Sequence, residues 1–230
     1  MNEIRPIFPI PLGVASLAEG MTEKVVDAVY ALQKKKAYNY DDNLAGRMIT
    51  GEQVNLPHKH VTGVSEWDSI CKSIIDFVTK ETEIYVSNSM EAHQVPMDKY
   101  FKGGIRLKLV DIWSTIQKAG DYNPIHTHSG FCAGTMFVKV PEHITERAVV
   151  KEMENGVFDI NLDGSLNFVY GSSWRPENFC LNGSYRVSPE PGQAYFFPAW
   201  LNHVVYPFTG EEDRISVAWN FELDYEKMGF

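Results

Sequence analysis

The chain is 230 residues long, 44% hydrophobic and 22% charged, a composition typical of globular proteins and not of disordered or fibrous ones. Its formal net charge is -9 and its one compact basic run is the lysine triplet 34–36, so we expect no nucleic-acid partner. It has no long apolar stretch, no leader pattern and an odd count of 3 cysteines, which predicts a cytoplasmic protein without a membrane partner.

The first hundred residues predict a helix-rich region. Thr22 can cap a first helix that ends in the lysine triplet. A second helix is predicted from Ser65, with Asp68 approximating a capping box and apolar residues repeating on one face as far as Val78. We expect these helices to cover a sheet and to offer a surface for a homodimer.

The pattern changes near residue 103, beyond which strands predominate. Residues 105–109 alternate between apolar and basic side chains, which is the period of a strand with one buried face. Clusters of Gly, Pro, Asn and Asp mark the turns between further apolar runs. The additional predicted strands are 131–140, 164–170, 193–198 and 214–221.

Helices followed by many short strands predict a mainly β fold with helical cover. The architecture that fits is a double-stranded β-helix, the jelly roll of cupin-like proteins. We interpret the whole chain, 1–230, as one domain, with helical cover over 1–100 and the jelly-roll core over 105–222.

Three histidines indicate a metal site. His126 and His128 are two residues apart, so on a strand both imidazoles would point to the same side, about 6 to 7 Å apart along the backbone. His203 follows in an aromatic-rich segment, and a jelly roll can return the chain to the same end of the barrel. Because neutral imidazole suits Fe, Zn, Cu and Ni, spacing alone does not choose the ion.

Arg214 and Ser216 share one face of the last predicted strand. A guanidinium can bind a carboxylate through two parallel hydrogen bonds, and the Ser216 hydroxyl can add another to the same oxygens. The pair is therefore a compact anchor for one end of a dicarboxylic acid whose other end chelates the metal.

These residues resemble those of the 2-oxoglutarate- and iron(II)-dependent oxygenases, in particular a bacterial and phage-associated, prolyl-hydroxylase-like branch. The resemblance covers about residues 105–222. It implies an enzyme that uses Fe(II), O₂ and 2-oxoglutarate to hydroxylate a small-molecule or peptide substrate, with an amino-acid side chain as the leading candidate. The motifs that carry it are Asn123-Pro-Ile-His126-Thr-His128, Pro191-Gly192, Phe197-Pro198-Ala-Trp200-Leu-Asn-His203 and Arg214-Ile-Ser216.

The resemblance also implies roles for single residues. His126 and His203 match iron ligands, and Arg214 with Ser216 matches the clamp on the remote carboxylate of 2-oxoglutarate. Asn123 and Thr135 are further candidates for contact with the cosubstrate, and Trp113 for the wall of the substrate pocket.

The middle ligand departs from the family pattern. Its usual Asp or Glu, two residues after the first histidine, is replaced by His128. We interpret His128 as the third ligand of a three-histidine site. The alternative is that an acid such as Asp121 completes a set of two histidines and one carboxylate.

Two other functions fit part of the pattern. A three-histidine cupin-type dioxygenase would oxidise its substrate without 2-oxoglutarate, although it would have no use for the Arg214 and Ser216 clamp. A non-catalytic jelly-roll binding protein is also compatible, since this fold hosts lectins and capsid proteins. Formation of succinate from 2-oxoglutarate would separate both from the oxygenase.

Overall fold

The computed structural model describes residues 10–39, 51–58, 62–95, 104–146, 151–152, 158–159, 163–170 and 184–228. The helices in these ranges are α1 (Met21–Gln33), α2 (Ser65–Ala92), α3 (Glu142–Glu146) and α4 (Tyr225–Met228). The strands are β1 (Gly13–Ser16), β2 (Glu52–Asn55), β3 (Leu107–Gln117), β4 (Asn123–His126), β5 (Cys132–Lys139), β6 (Lys151–Glu152), β7 (Phe158–Asp159), β8 (Leu166–Val169), β9 (Ser184–Val187), β10 (Gln193–Pro198), β11 (Asn202–Val205) and β12 (Arg214–Leu223).

The strands form two main antiparallel sheets. The larger sheet has the order β1-β10-β5-β12-β3-β2, and the smaller has the order β4-β11-β8-β9. Strands β6 and β7 pair with each other in a separate two-stranded sheet. The predicted mainly β, double-stranded β-helix fold is confirmed. The N-terminal region contributes the edge strands β1 and β2 as well as helices.

The larger sheet separates two layers because side chains alternate along its central strands. On β12, Val217, Trp219 and Phe221 are fully buried in the core that α1 and α2 cover. The intervening side chains, Ser216 and Asn220, line a cavity on the opposite face. Helical packing thus fixes which face of the sheet is left for the cavity.

Close packing of β5 on β12 requires a glycine at position 134. A Cβ added to Gly134 would overlap Cζ2 of Trp219, closer than real Cβ atoms approach. The indole is buried on the helix-covered side, so it cannot move away into solvent.

The first helix begins differently from the prediction. Gly20, in a left-handed conformation with φ of 72°, is the N-cap residue of α1, and no side chain caps the helix. Thr22 lies in the first turn and donates a hydrogen bond to Glu23 instead. The predicted Thr22 cap is therefore wrong, because the glycine turn begins the helix two residues earlier.

The second helix begins at Ser65 as predicted but continues to Ala92, beyond the predicted stretch. Asp68 does not cap Ser65, since its carboxylate accepts hydrogen bonds from the backbone N and the hydroxyl of Thr62. Within the described ranges, no helix has the length and apolar character needed to cross a membrane.

Candidate active site

A cavity of roughly 290 Å³ lies between the two sheets. One wall consists of residues on β3, β5 and β12 of the larger sheet, and the other of residues on β4, β8 and β11 of the smaller sheet. All eight residues predicted for the site line it: Trp113, Asn123, His126, His128, Thr135, His203, Arg214 and Ser216.

The three histidines meet at one end of the smaller sheet. Strands β4 and β11 pair so that His126 lies opposite His203, and His128 follows β4 by two residues. One ring nitrogen from each histidine lies within 4.8 Å of the others. Nε2 of His128 and Nε2 of His203 are 3.1 Å apart.

Backbone carbonyl groups orient two of the rings. Nδ1 of His126 lies 2.6 Å from the carbonyl oxygen of Pro124, and Nδ1 of His203 lies 3.0 Å from that of Leu201. A carbonyl oxygen only accepts hydrogen bonds, so each Nδ1 carries the proton and each Nε2 keeps its lone pair. Carbonyl-anchored imidazoles of this kind are typical of metal ligands.

The histidines are uncharged at neutral pH. Burial, reinforced by the neighbouring histidines, lowers the pKa of His128 to about 4 and that of His203 to about 3. Burial also lowers the pKa of His126. Neutral rings can give their lone pairs to a metal ion without first losing a proton.

The spacing of the nitrogens fits a shared ion. Two ligands at right angles around one metal ion, each about 2.1 Å from it, are about 3 Å apart. The separation of 3.1 Å between Nε2 of His128 and Nε2 of His203 matches this value. The residues present therefore fit a divalent transition-metal ion, and they would hold it through three neutral nitrogens.

The alternative ligand Asp121 is directed elsewhere. Its side chain is fully buried, and its carboxylate accepts a hydrogen bond of 2.9 Å from the backbone N of Lys118. It does not line the cavity and is not part of the histidine group. The geometry thus favours His128 over Asp121 beside the other two histidines.

At the other end of the cavity, Arg214 is buried without an acidic partner in the described part of the chain. Its exposed fraction is 2%. One Nη donates to the backbone carbonyl of Gly164, the side chain stacks on Phe137, and Nε has no hydrogen-bond partner among the described residues. Burial lowers the pKa of the guanidinium to about 9. A buried, unpaired cation is costly, so this end of the cavity fits an anionic ligand.

The remaining predicted residues surround the histidines. The amide nitrogen of Asn123 donates to Nε2 of His126 over 3.1 Å, which agrees with an unprotonated Nε2 there. A metal ion bound to Nε2 would take the same lone pair, so this hydrogen bond would break when His126 binds the ion. The Trp113 ring lies 5.9 Å from the His128 ring, measured between centroids, and Thr135 faces the cavity from β5.

The sequence prediction missed several polar residues of the cavity. Three of them, Asp111, Thr115 and Gln117, lie on the same face of β3 as Trp113, so the two-residue period could have identified them. Asn220 could have been identified in the same way from Ser216 on β12. The missed residues are Gln53, Asp111, Thr115, Gln117, Tyr122, Thr127, Ser129 and Asn220.

Comparisons with known proteins agree with this site. Residues 111–220 match a family described as "Putative 2OG-Fe(II) oxygenase", and this range contains all three histidines and the Arg214 and Ser216 pair. No curated protein matches the sequence.

Solved structures of the same fold have low sequence identity. A Trichoplax adhaerens prolyl hydroxylase, in complex with a hypoxia inducible factor peptide, is 12% identical with a TM-score of 0.58, covering 94% of this chain and 84% of that one. A Pseudomonas putida prolyl-4-hydroxylase is 9% identical with a TM-score of 0.51, covering 91% of both chains. HygX from Streptomyces hygroscopicus, with nickel and 2-oxoglutarate bound, is 9% identical with a TM-score of 0.53, covering 94% of this chain and 84% of that one.

The likeness to these structures shows the fold, and the family match adds the chemistry. The range that matches the family begins on β3, ends on β12 and includes every residue that lines the cavity except Gln53. Iron(II), 2-oxoglutarate and O₂ are the cofactor and cosubstrates of this family. Over residues 111–220 the chain matches the 2-oxoglutarate- and iron(II)-dependent oxygenases, and its fold and histidine group agree with that match.

Proposed function

We propose that this enzyme hydroxylates a small molecule or a peptide side chain at an iron centre held by His126, His128 and His203. The observation that carries the proposal is the pairing of two features in one cavity. Three neutral, convergent imidazoles lie at one end, and at the other lies the guanidinium of Arg214, which has no acidic partner among the described residues. A dicarboxylic acid that chelates a metal is the ligand that uses both.

Each part of the cavity has a task in this mechanism. The oxidising power comes from iron(II), O₂ and 2-oxoglutarate together. The carbonyl-anchored rings of His126 and His203 keep their Nε2 lone pairs aimed at the ion. Arg214 and Ser216 bind the remote carboxylate of 2-oxoglutarate, which holds its keto acid end toward the histidines.

Aromatic side chains keep the centre dry. Phe197 and Trp113 flank the His128 ring, with centroid separations of 6.1 Å and 5.9 Å. Both aromatic side chains are at most 9% exposed. Exclusion of water favours oxidation of the bound substrate over wasteful side reactions.

The size of the cavity supports a modest substrate. At roughly 290 Å³, it is at the lower end of the range of about 300–1,000 Å³ for small-molecule sites. Because 2-oxoglutarate occupies part of it, a side chain or a small molecule fits in the remainder. The peptide bound to the Trichoplax adhaerens prolyl hydroxylase is consistent with a peptide substrate here.

The test combines binding with turnover. Anaerobic titration of Fe(II) and 2-oxoglutarate should give a metal-to-ligand charge-transfer absorption band, and addition of O₂ should give succinate. We expect His203→Ala to lose the band and Arg214→Ala to need far more 2-oxoglutarate for it. His93→Ala and Arg106→Ala, at exposed positions outside the cavity, are the matched controls and should behave as wild type. A wild-type protein that binds Fe(II) but gives neither band nor succinate would overturn the proposal.

A further inference from the structure

The cavity has opposite charges at its two ends. Along β3, alternate residues face the cavity from Asp111 to Gln117, and Gln117 pairs with Arg214 of β12. Asp111 pairs with Asn220, close to the other end of β12. The six residue steps from Asp111 to Gln117 span about 20 Å of extended strand. The carboxylate and the guanidinium are therefore at opposite ends of one groove.

The histidines lie near the Asp111 end of this groove. The Trp113 ring, two residues from Asp111 on the same face, lies 5.9 Å from the His128 ring, measured between centroids. Asn220, the pairing partner of Asp111, lines the cavity beside His128. A cosubstrate that reaches from Arg214 to the histidines fills the part of the groove between them. Asp111 therefore borders the part beyond the histidines, which is left for the substrate.

Asp111 is the one acidic side chain among the cavity-lining residues that the structure describes. It is partly exposed, and in the described part of the chain its carboxylate has no hydrogen bond or ion pair. It is also outside the group of ligand nitrogens formed by the three histidines. An unpaired carboxylate that faces a cavity is an open position for a positively charged group.

An aromatic side chain next to Asp111 also favours a cationic ligand. Trp113 is its neighbour on the same face of β3 and lines the cavity with it. Aromatic faces attract ammonium and guanidinium groups, most strongly where water is excluded. A carboxylate beside such faces is the recognition chemistry for an amine and not for a neutral or acidic substrate.

We infer that the substrate carries an ammonium or guanidinium group that pairs with Asp111 while its reacting C–H bond lies over the three histidines. This inference rests on the proposed function, because it assumes that 2-oxoglutarate occupies the Arg214 end. It makes Asp111 a substrate-binding residue and not a fourth metal ligand.

The test uses simple cations as probes, because they share only the charged group with the substrate. Wild-type protein is loaded with Mn(II) and 2-oxoglutarate without O₂, and binding of n-butylammonium, guanidinium and neutral n-butanol is measured from the paramagnetic relaxation of their protons. We expect either cation to bind about tenfold more tightly than n-butanol. In Asp111→Asn this preference should disappear, whereas Asp76→Asn, at an exposed helix position, should keep it.

Three results would overturn the inference. Cations that bind no better than n-butanol would refute it, as would a cation preference that persists in Asp111→Asn. A large loss of Mn(II) affinity in Asp111→Asn would instead make this residue a metal ligand. A separate measurement tests the proposed function first. If that function is wrong, wild-type protein will not bind 2-oxoglutarate in the presence of the metal, whatever the result with the cations.

Discussion

Replacing Arg214 by methionine should remove 2-oxoglutarate binding and at the same time stabilise the metal-free protein. The guanidinium is fully buried, and burial lowers its pKa to about 9. The difference between this pKa and the ordinary value of 12.5 corresponds to roughly 5 kcal/mol, which is an upper limit for the free-energy cost of keeping the charged guanidinium in the cavity. Methionine keeps most of the volume packed on Phe137 and carries no charge.

Two opposing terms decide the net effect on stability. The variant loses the hydrogen bond to Gly164, about 1–3 kcal/mol, and it removes the unpaired cation. Replacing buried charge with apolar residues of similar size is often stabilising by about 1–4 kcal/mol. We therefore expect the free energy of unfolding of metal-free Arg214→Met to rise by about 1–3 kcal/mol.

Urea unfolding of the metal-free proteins measures this change, and calorimetric titration of the metal-loaded proteins measures 2-oxoglutarate affinity. Affinity should fall by at least about a hundredfold, since breaking a buried charge pair costs about 3–5 kcal/mol. The exposed Arg106→Met is the control for both measurements. A metal-free Arg214→Met protein that is less stable than wild type, or one that still binds 2-oxoglutarate tightly, would refute the reasoning.

The site and the sheet beneath it support three further predictions. His128→Asp should bind Fe(II) more tightly in the absence of 2-oxoglutarate, because it adds a negative charge at the ion; equal or weaker affinity in an anaerobic titration would argue against His128 as a ligand. The pKa of His128 and that of His203 are lowered in the folded state, so the unfolded state binds more protons between about pH 4 and 6.5. The free energy of unfolding should therefore fall on acidification through this window, by about 1.4 kcal/mol per pH unit for each histidine. Urea unfolding against pH should show a shallower slope in His203→Gln, and an unchanged slope would contradict the assignment. Gly134→Ala should destabilise the fold by about 1–3 kcal/mol through the clash with Trp219, and adding Trp219→Phe should recover part of that loss. If the changes in unfolding free energy of the two single variants simply add up in the double variant, the clash is not the cause.

Local alternation explains what the sequence could predict of the site. The spacing of His126 and His128, and of Arg214 and Ser216, needs only the two-residue period of a strand, and both pairs line the cavity. The strands predicted at 193–198 and 214–221 correspond to β10 and β12 for the same reason. A regular pattern within one strand can be recognised whatever its neighbours are.

The parts that the sequence does not predict depend on pairing between distant segments. Strand β3 is buried on both faces, with Ile112 in the helix-covered core and Trp113 on the cavity, so the apolar pattern of the strand does not distinguish the two faces. Asp111 shares the face of Trp113, but its place at the end of the cavity depends on the pairing of β3 with β12. Strand β11 is four residues long and follows a turn, which leaves too short a pattern to recognise.

The helix ends illustrate a different limit. Thr22 and Asp68 are both good capping residues, yet α1 begins at a glycine turn and Asp68 binds Thr62. Capping preferences are worth about 1 kcal/mol, so a favourable turn or a nearby donor overrides them. Such choices between local partners are not decided by residue type alone.

The replacement of a carboxylate by His128 changes where negative charge enters the cavity. With three neutral histidines, the protein would give the metal no compensating charge, so the carboxylate at the keto acid end of 2-oxoglutarate would be the principal anion at the ion. Binding of metal and cosubstrate should then be mutually dependent, since each gains from the other by the same factor. Asp111, outside the ligand group, keeps its own charge available for a cationic substrate. Fe(II) affinity should be measured with and without 2-oxoglutarate in wild type, His128→Asp and Asp111→Asn. The gain in Fe(II) affinity that 2-oxoglutarate gives should be smaller in His128→Asp than in wild type. In Asp111→Asn the gain should equal that of wild type.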